Sequence, residues 1–246
     1  MCGRFSQTQS GEEIASAFQL DIAPQIKLRY NIAPTQAVSV ITQSHRTQKR
    51  VHHQKYWGLV PSWAKDSRIG QRLINARSET VAEKPAFRSA FQRRRCLVIA
   101  DGFYEWQRVS SAEMNALKTD QPQKSSKNTT KQPFLIQLKT KTLFAFAGLW
   151  ERWQDPDTHQ SFFSCTILTT QPNDLMAPIH GRMPVILAPE NYHVWLDPSF
   201  YTPGLLKTLL RPYEASAMMA KPISTAINNP RNDSAKVQES NSSETL

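Results

Sequence analysis

Two nucleophiles coincide near the start of the chain. In Met1-Cys2-Gly3-Arg4-Phe5 both Cys2 and Gly3 are small, and the sequence predicts removal of Met1. Cys2 then carries a thiol and a free α-amine. The amine has a reference pKa of roughly 7.7–8.0 and the thiol about 8.5, so both are partly reactive near neutral pH. Such a 1,2-aminothiol condenses with an aldehyde to an imine, and its thiol then closes a stable thiazolidine ring, which an internal cysteine cannot do. The bland reading is that Cys2 simply follows the initiator, so other segments must supply the context. Asn75-Ala76-Arg77, Phe103-Tyr104-Glu105 and His180-Gly181-Arg182 do so. In three of the four segments a polar residue is followed two positions later by arginine. In extended backbone those two side chains project to one side, giving a reactive group beside a phosphate-binding guanidinium. With 30 Lys and Arg in the chain, part of this pattern is expected by chance.

Composition narrows the class. The 246 residues, 39% of them hydrophobic, suit one sizeable domain or two small ones. A formal charge of +10 favours anionic partners, chiefly nucleic acid, though a bland basic surface has the same composition. Three cysteines without a CxxC pair argue against a disulfide framework and a cysteine-rich zinc site. Cys96 and Cys165 sit in apolar runs and read as structural. His52 and His53 have no ligand-spaced partner and read as exposed loop histidines, so no metal is expected. The N-terminus has no secretory apolar region, and no apolar run approaches ~18 residues. A reducing, cytoplasmic location is expected, nucleoid-associated in a bacterium.

The elements that must position these groups are short. Ser10-Gly11-Glu12-Glu13 reads as a capping box ahead of a helix carrying Ile14 and Phe18. Residues 36–42 alternate as a strand, and 45–54 read as a hairpin tip. Residues 55–63 form a strand running into a proline-punctuated loop, with Trp57 as core and Trp63 as a stacking platform for a nucleobase. Leu73–Thr80 is predicted to enter a short helix. Phe87, Ala90 and Phe91 give a helical stripe, and Arg93-Arg94-Arg95 reads as a solvated basic face. Cys96–Ala100 is a strand covered on both sides, delivering Glu105 just beyond it. Residues 109–132 read as a flexible insertion. Strands follow at 134–138, 143–150 and 161–170, then a loop pinned by Pro178 and Pro184. Short helices are predicted from Pro189 and over 205–210, and from about residue 228 the composition is that of a disordered tail.

Six segments together resemble the SRAP family of abasic-site processing proteins, the SOS response-associated peptidases. They are Met1–Phe5, Tyr30-Asn31-Ile32-Ala33-Pro34, Trp57–Trp63, Asn75–Glu79, Asp101–Trp106 and His180–Pro184. The resemblance spans residues 2–227, leaving 228–246 as tail. It implies a single α+β domain around a curved, mainly antiparallel barrel-like sheet with peripheral short helices, binding single-stranded DNA as a monomer without a cofactor. It implies that Cys2 captures the abasic-site aldehyde, giving a covalent protein–DNA linkage, with thiol-peptidase and weak lyase activity by family. Glu105 is then the proton shuttle, His180 an assistant at the imine or in reversal, and Asn75 an orienting amide. Arg4, Arg77 and Arg182 hold phosphates, with Trp63 stacking. Two other classes stay open. An N-terminal-nucleophile amidohydrolase would use the Cys2 amine as base, and a non-covalent single-strand binder would use only the charge and the tryptophans.

Overall fold

Short apolar alternations become strands, and most of the fold is built from them. The computed structural model describes residues 2–109 and 130–240. In chain order the strands are β1 (Phe5–Gln7), β2 (Arg29–Ile32), β3 (Ala37–Gln43), β4 (Arg50–Trp57), β5 (Asn75–Arg77), β6 (Arg95–Ala100) and β7 (Gly102–Val109). They continue with β8 (Thr130–Leu138), β9 (Phe144–Gln154), β10 (Ser161–Thr170), β11 (Met183–Pro184), β12 (Ile186–Leu187) and β13 (Met218–Pro222). Helices are short: α1 (Gly11–Phe18), α2 (Arg88–Arg93), α3 (Tyr192–Leu196) and α4 (Pro203–Thr208). The capping box starts α1 as predicted, with Ser10 accepting from the Glu13 amide and Glu13 from the Ser10 amide.

β9 makes the fold close. It pairs antiparallel with both β6 and β10, and the ring β10-β4-β3-β6-β9 returns on itself as a five-stranded barrel. Only the β10–β4 contact in that ring is parallel. The two-residue period along β9 splits the core. Phe144 and Phe146 face one apolar cluster, while Ala145, Ala147 and Leu149 face the other, against α1 to α4. A second, antiparallel sheet, β13-β8-β7-β1-β2, packs across the first cluster. Phe5 meets Trp57 and Phe146 edge-on there, and Phe103 meets Phe146. The expected single α+β domain with a curved, mainly antiparallel sheet is the one observed.

Four local expectations are corrected. Leu73–Thr80 is not helical: Asn75–Arg77 forms β5, paired parallel with Ile167–Thr169 of β10. The segment reaches β10 because Gly58 and Gly70 lie back to back. A Cβ on Gly58 would sit 2.7 Å from the Gly70 carbonyl oxygen, and Gly58 has φ +142°, a conformation suited to glycine. The basic run 93–95 is not one solvated face. Arg95 is buried and donates to the carbonyls of Phe91, Gln92, Trp195, Asp197 and Phe200, while Arg94 pairs with Glu151. The insertion expected at 109–132 begins and ends in strand, Val109 pairing with Thr130; the rest of it lies outside the described residues. The tail expected from 228 is packed as far as 240. Val237 is buried, and Asp233 accepts from the amides of Tyr30 and Asn31. Its polar composition hid a few anchoring residues. No helix among the described residues is long and apolar enough to cross a membrane.

Candidate active site at the N-terminal cysteine

Cys2 lies in extended chain just before β1. It is fully buried, in the cluster that holds Phe5, Trp57, Met176 and Met183. Two backbone anchors fix it. Asn75 Nδ2 donates to the Cys2 carbonyl at 2.8 Å, and the Tyr104 amide donates to the Arg4 carbonyl at 3.0 Å. β5 exists to deliver Asn75: its parallel register sets Asn75 beside Ile167. The β1–β7 register sets Phe5 opposite Phe103, and continuing it brings Gly3 opposite Glu105. Asn75 Oδ1 is buried with no hydrogen-bond partner among the described residues.

Glu105 is 3% exposed. Burial pushes its carboxyl up to about 7. Burial also pushes the Cys2 thiol up, and the neighbouring Glu105 adds to that shift. His180 Nε2 lies 4.0 Å from Glu105 Oε2. The Arg182 amide lies 3.0 Å from His180 Nδ1. The Arg182 carbonyl lies 3.1 Å from the same nitrogen, so Nδ1 has an acceptor as well as a donor beside it and is held in either tautomer. Partial burial lowers the His180 pKa. The loop is held by Gln107 Nε2 donating to the Pro178 carbonyl at 3.1 Å and by Asn173, whose Nδ2 donates to the Tyr213 carbonyl at 2.7 Å.

The three arginines differ in their partners, although Arg77 and Arg182 both lie beside Glu79 and Thr169. Arg77 is exposed and forms no ion pair with any described residue. Arg4 gives Nη1 to Asn31 Oδ1 and the Ile227 carbonyl and Nη2 to the Asn228 carbonyl. No described carboxylate neutralises it. Arg182, expected at a phosphate, instead makes a bidentate pair with Glu79 at 2.6 and 3.0 Å and also donates to the Thr169 carbonyl. The fork geometry of a guanidinium matches a carboxylate as well as a phosphate, and here the carboxylate is built in. Trp63 is 59% exposed, available to a base, whereas Trp57 is core and donates to the Ile74 carbonyl. His52 and His53 lie on β4 and not in a loop. Sequence reasoning missed Glu79 and Asn31. Both sit inside segments already singled out, Asn75–Glu79 and Tyr30–Pro34, and their polar character there was the available signal.

The arrangement brings a buried thiol, a backbone carbonyl anchored by Asn75, a buried carboxyl whose pKa is raised and a half-buried imidazole together. That constellation, on a closed mixed barrel crossed by an antiparallel sheet, sets a buried cysteine near the start of the chain among groups suited to acid–base and nucleophilic chemistry. The chain belongs to the SRAP family: the family model described as SOS response associated peptidase (SRAP) matches residues 1–230. It is 41% identical over 243 residues to the abasic site processing protein YoqW of Bacillus subtilis, covering 98% of this chain and 100% of that one. It is 34% identical to the abasic site processing protein HMCES of Xenopus tropicalis, covering 83% of this chain and 63% of that one. A solved protein of Bacteroides thetaiotaomicron has the same fold, with a TM-score of 0.79 at 25% identity over 98% of this chain and 100% of its own.

Proposed function

We propose that the chain, once Met1 is removed, captures the ring-opened aldehyde of an abasic site in single-stranded DNA as a thiazolidine on Cys2. The observation that carries this is the convergence of Asn75, Glu105 and His180, from three remote segments, around Cys2. The names of its abasic-site processing relatives support the same substrate.

The steps balance. An abasic sugar is mostly a closed hemiacetal, and opening it moves a proton from the C1′ hydroxyl to the ring oxygen. The α-amine of Cys2 adds to C1′, and the carbinolamine loses its oxygen as water to give the imine. The thiol adds to the imine carbon and its proton passes to nitrogen. The net change is one C–N and one C–S bond formed and one water released. Glu105, protonated up to about pH 7, supplies and recovers the proton at ring opening and water loss. The raised thiol pKa makes the amine the first nucleophile and the thiol the second. The orphan Asn75 Oδ1 accepts from the amine or a sugar hydroxyl, which orients the chain end. His180 acts at the imine and in reversal. Arg77, and Arg4 through its remaining N–H groups, contact phosphates, while Trp63 stacks a neighbouring base. A thiol-peptidase activity in this site has the Met1–Cys2 bond as its natural substrate.

Intact mass before and after adding an abasic single-stranded oligonucleotide tests the proposal. The expected product is protein without Met1 plus oligonucleotide minus one water, stable to heat. No covalent product, with binding intact, would sink it in favour of a non-covalent binder. Ammonia release from glutamine or small amides would favour an amidohydrolase.

A further inference from the structure

Residues 224–240 form a strap across the edge strand β2, and its polar contacts converge on one buried side chain. Asn31 is fully buried. Its Oδ1 accepts from Arg4 Nη1 at 2.6 Å, and its Nδ2 lies within bonding distance of the carbonyls of Ile227, Asn229 and Asn232, at 3.2, 3.1 and 2.8 Å. Asp233 locks the strap in register. Its Oδ1 accepts from the amides of Tyr30 and Asn31 at 2.6 and 2.9 Å, and its Oδ2 pairs with Arg29.

The same strap grips the other reactive strand on both sides of Glu105. Trp106 Nε1 donates to Asn228 Oδ1 at 2.8 Å, and Gln238 Nε2 donates to the Tyr104 hydroxyl at 2.9 Å. That hydroxyl donates in turn to the Tyr30 carbonyl at 2.6 Å. One segment therefore sets the position of Arg4, two residues beyond Cys2, and of the flanks of Glu105. Ile227 and Val237, packed with Tyr104, Leu135 and Ile223, hold the strap down by apolar burial. The polar contacts decide where it lies.

We propose that Asn31 and Asp233 are positioning residues, through which the C-terminal strap aligns the Cys2 amine with the Glu105 carboxyl. This rests on the cross-linking function proposed above. Neither side chain is placed to touch DNA or the reacting atoms. Asp233 acts through Asn31, Asn31 through Arg4, and Arg4 through its carbonyl bond to the Tyr104 amide. A buried amide left without its partner is costly, so strap and Arg4 are expected to shift together. A displacement of ~1 Å at a reacting pair costs on the order of 10²-fold in rate.

The test is a double-mutant cycle on the processed full chain, read as single-turnover cross-linking at saturating abasic oligonucleotide. Asp233→Ala is expected to slow the wild-type background by ~10-fold or more and the Glu105→Gln background by less than about 2-fold, because misalignment matters only while the carboxyl works. Asp233→Asn, which keeps an oxygen acceptor for the Tyr30 and Asn31 amides, is expected to recover most of the loss and covers the case in which Asp233→Ala does not fold. Equal loss in both backgrounds, no loss in either, or no recovery in Asp233→Asn overturns the inference. A wild-type chain that forms no adduct overturns the underlying function, and the inference with it.

Discussion

Two regions of this molecule bury thiols, and they differ in their company. Cys96 and Cys165 face the barrel interior, fully buried, and burial pushes the Cys96 thiol up to about 12 and Cys165 well up. Their charged neighbour is Lys55, whose ammonium lies 4.4 Å from the Trp150 ring and 4.9 Å from the Phe163 ring. Among the described residues it has no carboxylate partner. Cys2 is equally buried and its thiol is raised as well, but its neighbour is a carboxyl poised near neutrality. Burial alone therefore does not distinguish Cys2 from the other two cysteines. What separates the two regions is a proton donor at one and a lone cation held by ring faces at the other.

The largest expected effect tests that separation directly. Cys2→Ala should abolish the heat-stable adduct and leave at most a borohydride-trappable imine, while Cys96→Ala and Cys165→Ala should still give it, all read by intact mass. A stable adduct from Cys2→Ala would break the comparison. Next, Glu105→Gln should slow single-turnover cross-linking by ~10²–10⁴-fold with little change in DNA affinity. The wild-type rate should peak between the Glu105 pKa near 7 and the amine pKa of roughly 7.7–8.0, and Glu105→Gln should lose the alkaline limb.

Stability gives smaller effects of predictable sign. The folded pKa of Glu105 is raised, so the stability its neutral form contributes is present below the unfolded value and lost as pH rises through about 7. Glu105→Gln should therefore raise Tm above pH 7 and change it little at pH 4, by thermal scans. The folded pKa of Lys55 is lowered by burial, so its penalty is full below the folded pKa and vanishes above the unfolded pKa of about 10.4. Lys55→Met should raise Tm by a few degrees at pH 7, less as pH approaches 10, and leave cross-linking unchanged. The smallest effect is on salt dependence. Arg77→Ala should reduce the log–log slope of binding by about 0.7, one phosphate on a single strand, whereas Arg182→Ala should leave it alone. A lower slope in Arg182→Ala would mean that DNA displaces Glu79.

Local signals were legible in the sequence. The Ser10–Glu13 box and the all-apolar run 96–100 each specify their element within a few residues, and both formed as predicted. Cys2, Asn75, Glu105 and His180, singled out by type, lie together in the fold. Non-local pairing was not legible. Nothing within Leu73–Thr80 announces a strand, because β5 owes its form to β10 some 90 residues away, as in Asn75 opposite Ile167. The spacing that linked three arginines to their polar neighbours holds only in extended chain, and it could not reveal that Glu79 waits for Arg182. Likewise, 228–240 reads as polar tail until Asp233 and Val237 are seen to dock.

The bond from Arg4 to the Ile227 carbonyl joins positions 223 residues apart, and so ties Arg4 to a segment made long after it. At the usual ribosomal pace of about 5–20 residues per second, that partner emerges on the order of ten to forty seconds after Arg4. Until then the end bearing Cys2 cannot be sealed in its final position. The proposed trimming of Met1 thus has a window set by synthesis itself, and the segment bearing Cys2 is closed in only once Ile227 has been made.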